Sequence, residues 1–171
     1  MPNKAKFFLL AIFLIFAQFI FAQSGERYYE NVGNFSYCPP LNWNITEFPG
    51  LKYHIIIGSV DGNSTANINF ADEVYSGKLD EYVSLSIAQL EQFFASTKLI
   101  SRDPFKTNSG IVGERIIITN IQLGNNLMQF IYFLQMPNNR YLVISATALE
   151  STATNYQPIF DECVRTFEIM P

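Results

Sequence analysis

The run from Ile111 to Met136, IVGERIIITNIQLGNNLMQFIYFLQM, decides the fold. Successive side chains of a strand leave on opposite sides, so Ile117 and Ile121 take one face of its first half and Ile116 and Ile118 the other. In the second half Phe130, Tyr132 and Leu134 alternate with Ile131 and Phe133. Gly124-Asn125-Asn126 between them is turn chemistry, which makes the two halves, 111–123 and 127–136, adjacent antiparallel strands. A sheet packed on one side only would alternate apolar with polar residues. Here both faces are apolar, and each needs a cover.

The covers lie on either side of this run. From Lys78 to Phe94 the residues Leu79, Val83, Ile87, Leu90 and Phe94 recur at spacings of three and four, with Asp80, Glu81, Gln89, Glu91 and Gln92 on other faces. That is the period of an amphipathic helix. From Asn155 to Arg165 a second stripe of Tyr156, Ile159, Phe160, Cys163 and Val164 predicts another helix, capped by Asn155 with Pro158 in its first turn. Further strands are expected at 35–38, 43–46, 53–59, 66–72, 99–105 and 141–148, separated by turn signals such as Phe48-Pro49-Gly50, Asp61-Gly62-Asn63-Ser64 and Pro137-Asn138-Asn139. The fold class is therefore α+β: a three-layer α/β/α sandwich around a central, mainly antiparallel sheet, in the order strands, helix, strands, helix.

The whole chain has 171 residues, 49% hydrophobic and 15% charged, with formal net charge −4. Much of the apolar excess sits at the start, where Lys4 and Lys6 precede an unbroken apolar run from Phe7 to Ala17 and then Gln18 and Phe19 to Ala22. The run is shorter than the ~20 apolar residues that span a bilayer and ends in a small residue, the pattern of a secretory signal peptide cleaved between Ala22 and Gln23. No Cys precedes Cys38, so a lipid anchor at the cleavage site lacks its thiol. Residues 23–34 read as a loose polar leader, and 35–171 as a single domain with no membrane span. Without the first 22 residues the chain carries nine basic against fifteen acidic side chains, a balance that speaks against nucleic acid and anionic lipid as partners.

Export changes the reading of Cys38 and Cys163, the only two cysteines. In an oxidising compartment they can form one disulfide, worth up to ~4–5 kcal/mol in the chain-entropy model for so long a loop. Cys163 also falls on the apolar stripe of the second helix, where a free Cys is an ordinary core residue. Both readings stand at this level.

The order of elements, together with short motifs, resembles the PsbP-like superfamily, which takes in the photosystem II extrinsic protein PsbP, a Ran-binding nuclear-import factor of the same fold and exported bacterial DcrB-like proteins. Phe35-Ser-Tyr-Cys-Pro-Pro-Leu-Asn-Trp43 is similar to the superfamily's N-terminal Pro-x-Gly-Trp segment, with Asn42 in place of Gly. Ala66 to Phe70 resembles the strand before the first helix, Leu79 to Val83 that helix's start, Tyr141 to Ala146 the penultimate strand, and Tyr156 to Phe167 the closing helix. These matches span Phe35 to Ile169 and consist largely of packing residues. The resemblance implies the fold; its members have unrelated functions.

Candidate functional residues are few. His54 is the sole histidine, placed in the strand 53–59, and so the one imidazole base or ligand available. One His and two distant Cys lack the paired spacings of a zinc site, and no G-x-S-x-G elbow accompanies a serine. Asn67 and Asn69 share one face of their strand, where they can hold a ligand or satisfy polar groups under a loop. Trp43 offers an amphipathic ring to a partner surface. Neither a cofactor nor a metal is called for. These features describe an exported, periplasmic or secreted, non-catalytic binding or assembly-accessory module that acts on a protein partner or small ligand. The alternatives are a small cofactor-free hydrolase using His54 and, in a photosynthetic organism, a photosystem II extrinsic-type subunit.

Overall fold

The computed structural model of the chain describes residues 23–94 and 96–171; the expected signal peptide, 1–22, lies outside the described residues. Three short strands, β1 (Tyr28–Glu30), β2 (Phe35–Tyr37) and β3 (Asn44–Thr46), come first. They are followed by β4 (Ile55–Asp61), β5 (Ser64–Val74) and the helix α1 (Leu79–Phe93). A meander of β6 (Lys98–Lys106), β7 (Val112–Gln122), β8 (Asn125–Met136) and β9 (Arg140–Leu149) leads to α2 (Ala153–Arg165) and a terminal β10 (Glu168–Ile169). The seven-stranded sheet runs β3-β4-β5-β9-β8-β7-β6, and a small sheet runs β1-β2-β10. Every pairing is antiparallel. The fold is thus α+β, with antiparallel sheets and two helices.

The decisive hairpin behaves as its sequence predicts. Ile117 pairs with Phe130 on one face, and Ile116 with Ile131 on the other. The first face packs against Ala153, Phe160, Cys163 and Val164 of α2 and against the small sheet, whose Phe35 and Tyr37 meet Phe70 and Phe167 in one aromatic cluster. The second face packs Ile116, Ile118, Ile131 and Phe133 against Tyr82 and Val83 of α1.

Four expectations change. The polar stretch 23–34 is not loose: β1 within it pairs with β2, and Arg27 donates to Ser36 Oγ and to the Thr166 carbonyl. His54 precedes β4 rather than lying in a strand. α2 starts at Ala153, two residues before Asn155, because Thr152 takes the flanking position while its hydroxyl donates to Asp61. Pro158 then stands inside the helix. Finally, the α1 face of the sheet is not apolar throughout. Asn120, Gln122, Gln129, Ser145, Thr147, Asn67 and Asn69 all project from it, in register across β7, β8, β9 and β5.

Candidate functional site

The polar strip begins beneath the C-terminal half of α1 and continues beyond it over β5. Tertiary contacts explain the asymmetry, since the N-terminal half of the helix is fastened several times over. Tyr82 and Val83 are buried, and the Arg102 guanidinium of β6 holds Asp80 Oδ1 at 2.6 Å and donates to Ser84 Oγ at 3.0 Å. Tyr141 Oη donates to the Gly77 carbonyl at 2.9 Å. The C-terminal half has Leu90 and Phe94 only partly covered and Phe93 80% exposed. Between that half and the sheet opens a cleft of about 330 Å³, walled by Leu90, Phe93 and Phe94 and floored by Ile131, Phe133, Val143, Gln129 and Ser145. Glu73 closes one end, accepting from Tyr82 Oη at 3.0 Å. Burial and the neighbouring Glu73 push the Tyr82 phenol above its ordinary value, so it stays protonated as a donor.

A second cleft, about 340 Å³, continues on the same face over β4 and β5. Phe48 and Leu51 of the preceding loop overhang it, and its floor is Ile55, Ile57, Thr65, Asn67 and Asn69. The register places Asn69 opposite Ser145 and Asn67 opposite Thr147, so the polar strip joins the two clefts into one groove. Its hydrogen bonds are local: Asn67 Nδ2 donates to the Thr65 carbonyl at 2.9 Å and Asn69 Nδ2 to Asn67 Oδ1 at 2.8 Å. Asn120 Nδ2 donates to Gln129 Oε1 at 2.7 Å, while Gln129 Nε2 donates to Thr147 Oγ1 at 3.3 Å and reaches Ser145 Oγ at 3.5 Å. Ser145 and Thr147 thereby accept through oxygen and keep their O–H protons to give. No Lys or Arg lines either cleft among the described residues. The arrangement can hold an uncharged hydrogen-bonding group between two apolar ones; an anion placed there would go without a counter-charge.

The other sequence candidates lie elsewhere. His54 sits beside the buried Glu30, its Nδ1 2.9 Å and its backbone N–H 3.3 Å from Glu30 Oε2, with Nε2 3.6 Å from Glu47 Oε1. Both side-chain partners are carboxylates, and no serine or cysteine is among them. The cleft at this point, formed with the 47–53 loop, shares Phe48 and Leu51 with the second groove cleft but none of its asparagines. Trp43 packs on the opposite side of the sheet, edge-on to Phe160 and Tyr156 of α2 and directly over Gly58, where a Cβ would meet its ring at 2.5 Å. Cys38 and Cys163 are free thiols. Thr166 links their backbones: the Cys38 N–H donates to Thr166 Oγ1, which donates to the Cys163 carbonyl. Among the described residues no group of three or more His, Cys, Asp or Glu is placed to hold a metal ion, and no helix is long and apolar enough to cross a membrane.

Asn67 and Asn69 are thus in the groove, whereas Gln129, Ser145 and Thr147 went unnoticed in the sequence. Their signal was present, since 129, 145 and 147 share the strand parity that carries Ile131 and Val143 toward α1. Only the pairing of β5 with β9, across 76 to 80 residues of chain, unites them with Asn67 and Asn69.

No protein-family model matches the chain, and no curated protein matches it. Solved structures do. Cyanobacterial PsbP from Synechocystis sp. PCC 6803 superposes with TM-score 0.62 at 12% identity, covering 85% of this chain and 92% of its own. PA94 from Pseudomonas aeruginosa gives 0.61 at 15% identity, covering 87% and 99%. LpqN of Mycobacterium tuberculosis, a protein involved in cell envelope biogenesis, gives 0.65 at 12% identity, covering 87% of each chain. The fold is PsbP-like.

Proposed function

We propose that this PsbP-like chain is an exported, periplasmic or secreted, non-catalytic binding or assembly-accessory module. In this reading residues 1–22 direct export and are removed, and residues 35–171 build a three-layer α/β/α domain that holds its ligand or partner in the α1-face groove. The observation that carries it is the groove itself, with two apolar clefts joined by a strip of uncharged amides and hydroxyls beside the loosely fastened half of α1. The hydrolase reading loses ground because His54 is engaged by Glu30 and Glu47 and meets no nucleophile. LpqN's involvement in cell envelope biogenesis supports an accessory role at the envelope by analogy of fold alone.

A photo-crosslinking amino acid placed at Phe93 or Phe48, with Thr154 on α2 as control, tests this in the native compartment. Adducts specific to the two groove positions are expected. Equal yields at Thr154, or none at the groove, would remove the groove from the function.

A further inference from the structure

The groove's chemistry narrows its occupant. A side-chain amide is a copy of the peptide group, with a carbonyl that accepts and an NH2 that donates. Asn69 spends one N–H on Asn67 Oδ1 and keeps its Oδ1 and second N–H on one planar group, the pair that a main-chain N–H and C=O require. Across the β5–β9 pairing, Ser145 is its direct partner. Gln129 donates toward the Ser145 oxygen at 3.5 Å, leaving the Ser145 O–H free to give to a second carbonyl.

Spacing supports the same occupant. The Phe48–Leu51 cleft lies over β4 and β5, and the Phe93–Phe94 cleft reaches to β8. The Phe93–Phe94 cleft also rests on Ala71 and Glu73 of β5, so across the sheet the cleft centres are about one and a half strand spacings of ~4.8 Å apart, and an offset of about three residues along the strands, at ~3.3 Å each, brings their separation to roughly 12 Å. An extended chain advances about 3.3 Å per residue, which places side chains i and i+4 about 13 Å apart and on the same side. Two apolar side chains four positions apart can therefore enter the two clefts while the main chain between them passes over Asn69 and Ser145. Charge narrows it further. With no cation among the described lining residues and Glu73 at the α1 end, an acidic segment is disfavoured and a basic residue is favoured at that end.

We propose that the groove grips an extended peptide segment of a partner protein by its main chain, through Asn69 and Ser145, and takes apolar side chains at i and i+4 in the two clefts. This rests on the groove being the binding site. The experiment screens a bead library of capped nonapeptides, with Phe, Leu or Ile at i and i+4 and Ser, Thr or Gly elsewhere, against the 15N-labelled protein. Hits are then followed by NMR titration of the Asn and Gln side-chain amides.

The expected result is a hit that shifts the Asn67 and Asn69 side-chain signals. N-methylation of the residues between the anchors weakens it at least tenfold, and Asn69→Ala and Ser145→Ala each weaken it several-fold with thermal melting unchanged. Moving the anchors to i and i+3 abolishes it. A hit indifferent to N-methylation, or no hit in the library, overturns the peptide assignment. A neutral alkyl glycoside tested below its micelle concentration separates the two failures. If it shifts the groove amides while the peptides do not, the groove reading stands and the peptide proposal falls. If crosslinks also miss Phe93 and Phe48, both fall.

Discussion

Arg115 of β7 ties α2 to the sheet through charge. Its Nη1 lies 2.9 and 2.8 Å from the two oxygens of Asp161 on α2, and Nη2 lies 3.3 Å from Asp103. Tyr132 Oη also donates to Asp161 Oδ1, at 2.8 Å. Burial, reinforced by the Asp161 charge, holds the Tyr132 phenol well above its ordinary value, so it remains a donor at any physiological pH. Breaking one member of a buried pair strands the other. The Arg115–Asp161 pair is only partly buried and Arg115 keeps Asp103, so Asp161→Asn is expected to cost about 1.5–3 kcal/mol in urea unfolding, and Tyr132→Phe, which removes only one neutral donor, about 1–1.5 kcal/mol. The two thiols differ in exposure, Cys38 being half-buried and Cys163 buried. Burial pushes the Cys163 thiol far above its ordinary value, which suppresses its thiolate. Iodoacetamide at pH 8 is expected to label the native protein at Cys38 alone and at both cysteines after denaturation. No label on the denatured, non-reduced protein would mean that the pair had closed as a disulfide.

Asp72 links pH to stability. Burial works to raise its pKa, but the Lys52 ammonium, 2.8 Å from Oδ1, together with Tyr53 and the Arg140 charge more than offsets this and holds Asp72 below its ordinary value of 3.8. A carboxylate with a lowered folded-state pKa contributes stability above its unfolded value, and that contribution fades as pH falls through the folded one. Lys52→Met should therefore lower the urea midpoint at pH 7, with the gap to wild type closing below about pH 3.8. A gap that persists undiminished at pH 2.5 would rule out this linkage.

At the scale of elements, the β7–β8 hairpin shows a local rule broken. Gln122 pairs with Asn125, leaving a two-residue loop of Leu123 and Gly124 with φ of 48° and 79°. Positive φ at both central positions makes this the mirror-image turn that prefers Asn-Gly, yet Leu123 is fully exposed and packs on nothing. Leu123→Asn is expected to stabilise the protein by roughly 0.5–1 kcal/mol, read as a rise in melting temperature. The same hairpin shows how much was legible. Its strands, partner and two apolar faces follow from alternation alone, whereas its turn was expected one residue later, at 124–126. α1 was legible as a helix from Leu79, Val83, Ile87 and Leu90. That it grips the sheet at its N-terminal half was not, because Arg102 and Glu114, which anchor that half, lie on β6 and β7.

For the molecule as a whole, charge and topology act together. The residues after Ala22 are net acidic and several of the cations are already engaged, Arg27 with Glu168, Lys52 with Asp72, Arg102 with Asp80 and Arg115 with Asp161. The chain from Gln23 onward is expected to pass unretained through heparin at low salt, since few free cations remain to displace counterions; retention would reveal a basic surface that the fold assembles. The sequence alone determined the α+β class, the two helices, the antiparallel meander and the acidic balance, because alternation, helical period and charge are local and additive along the chain. It could not determine which half of α1 stays open, that His54 meets Glu30, or that Asn69 meets Ser145. Those depend on register between strands far apart in the chain, where a shift of one residue would turn every side chain to the other face. Only the folded sheet decides that, and with it the groove.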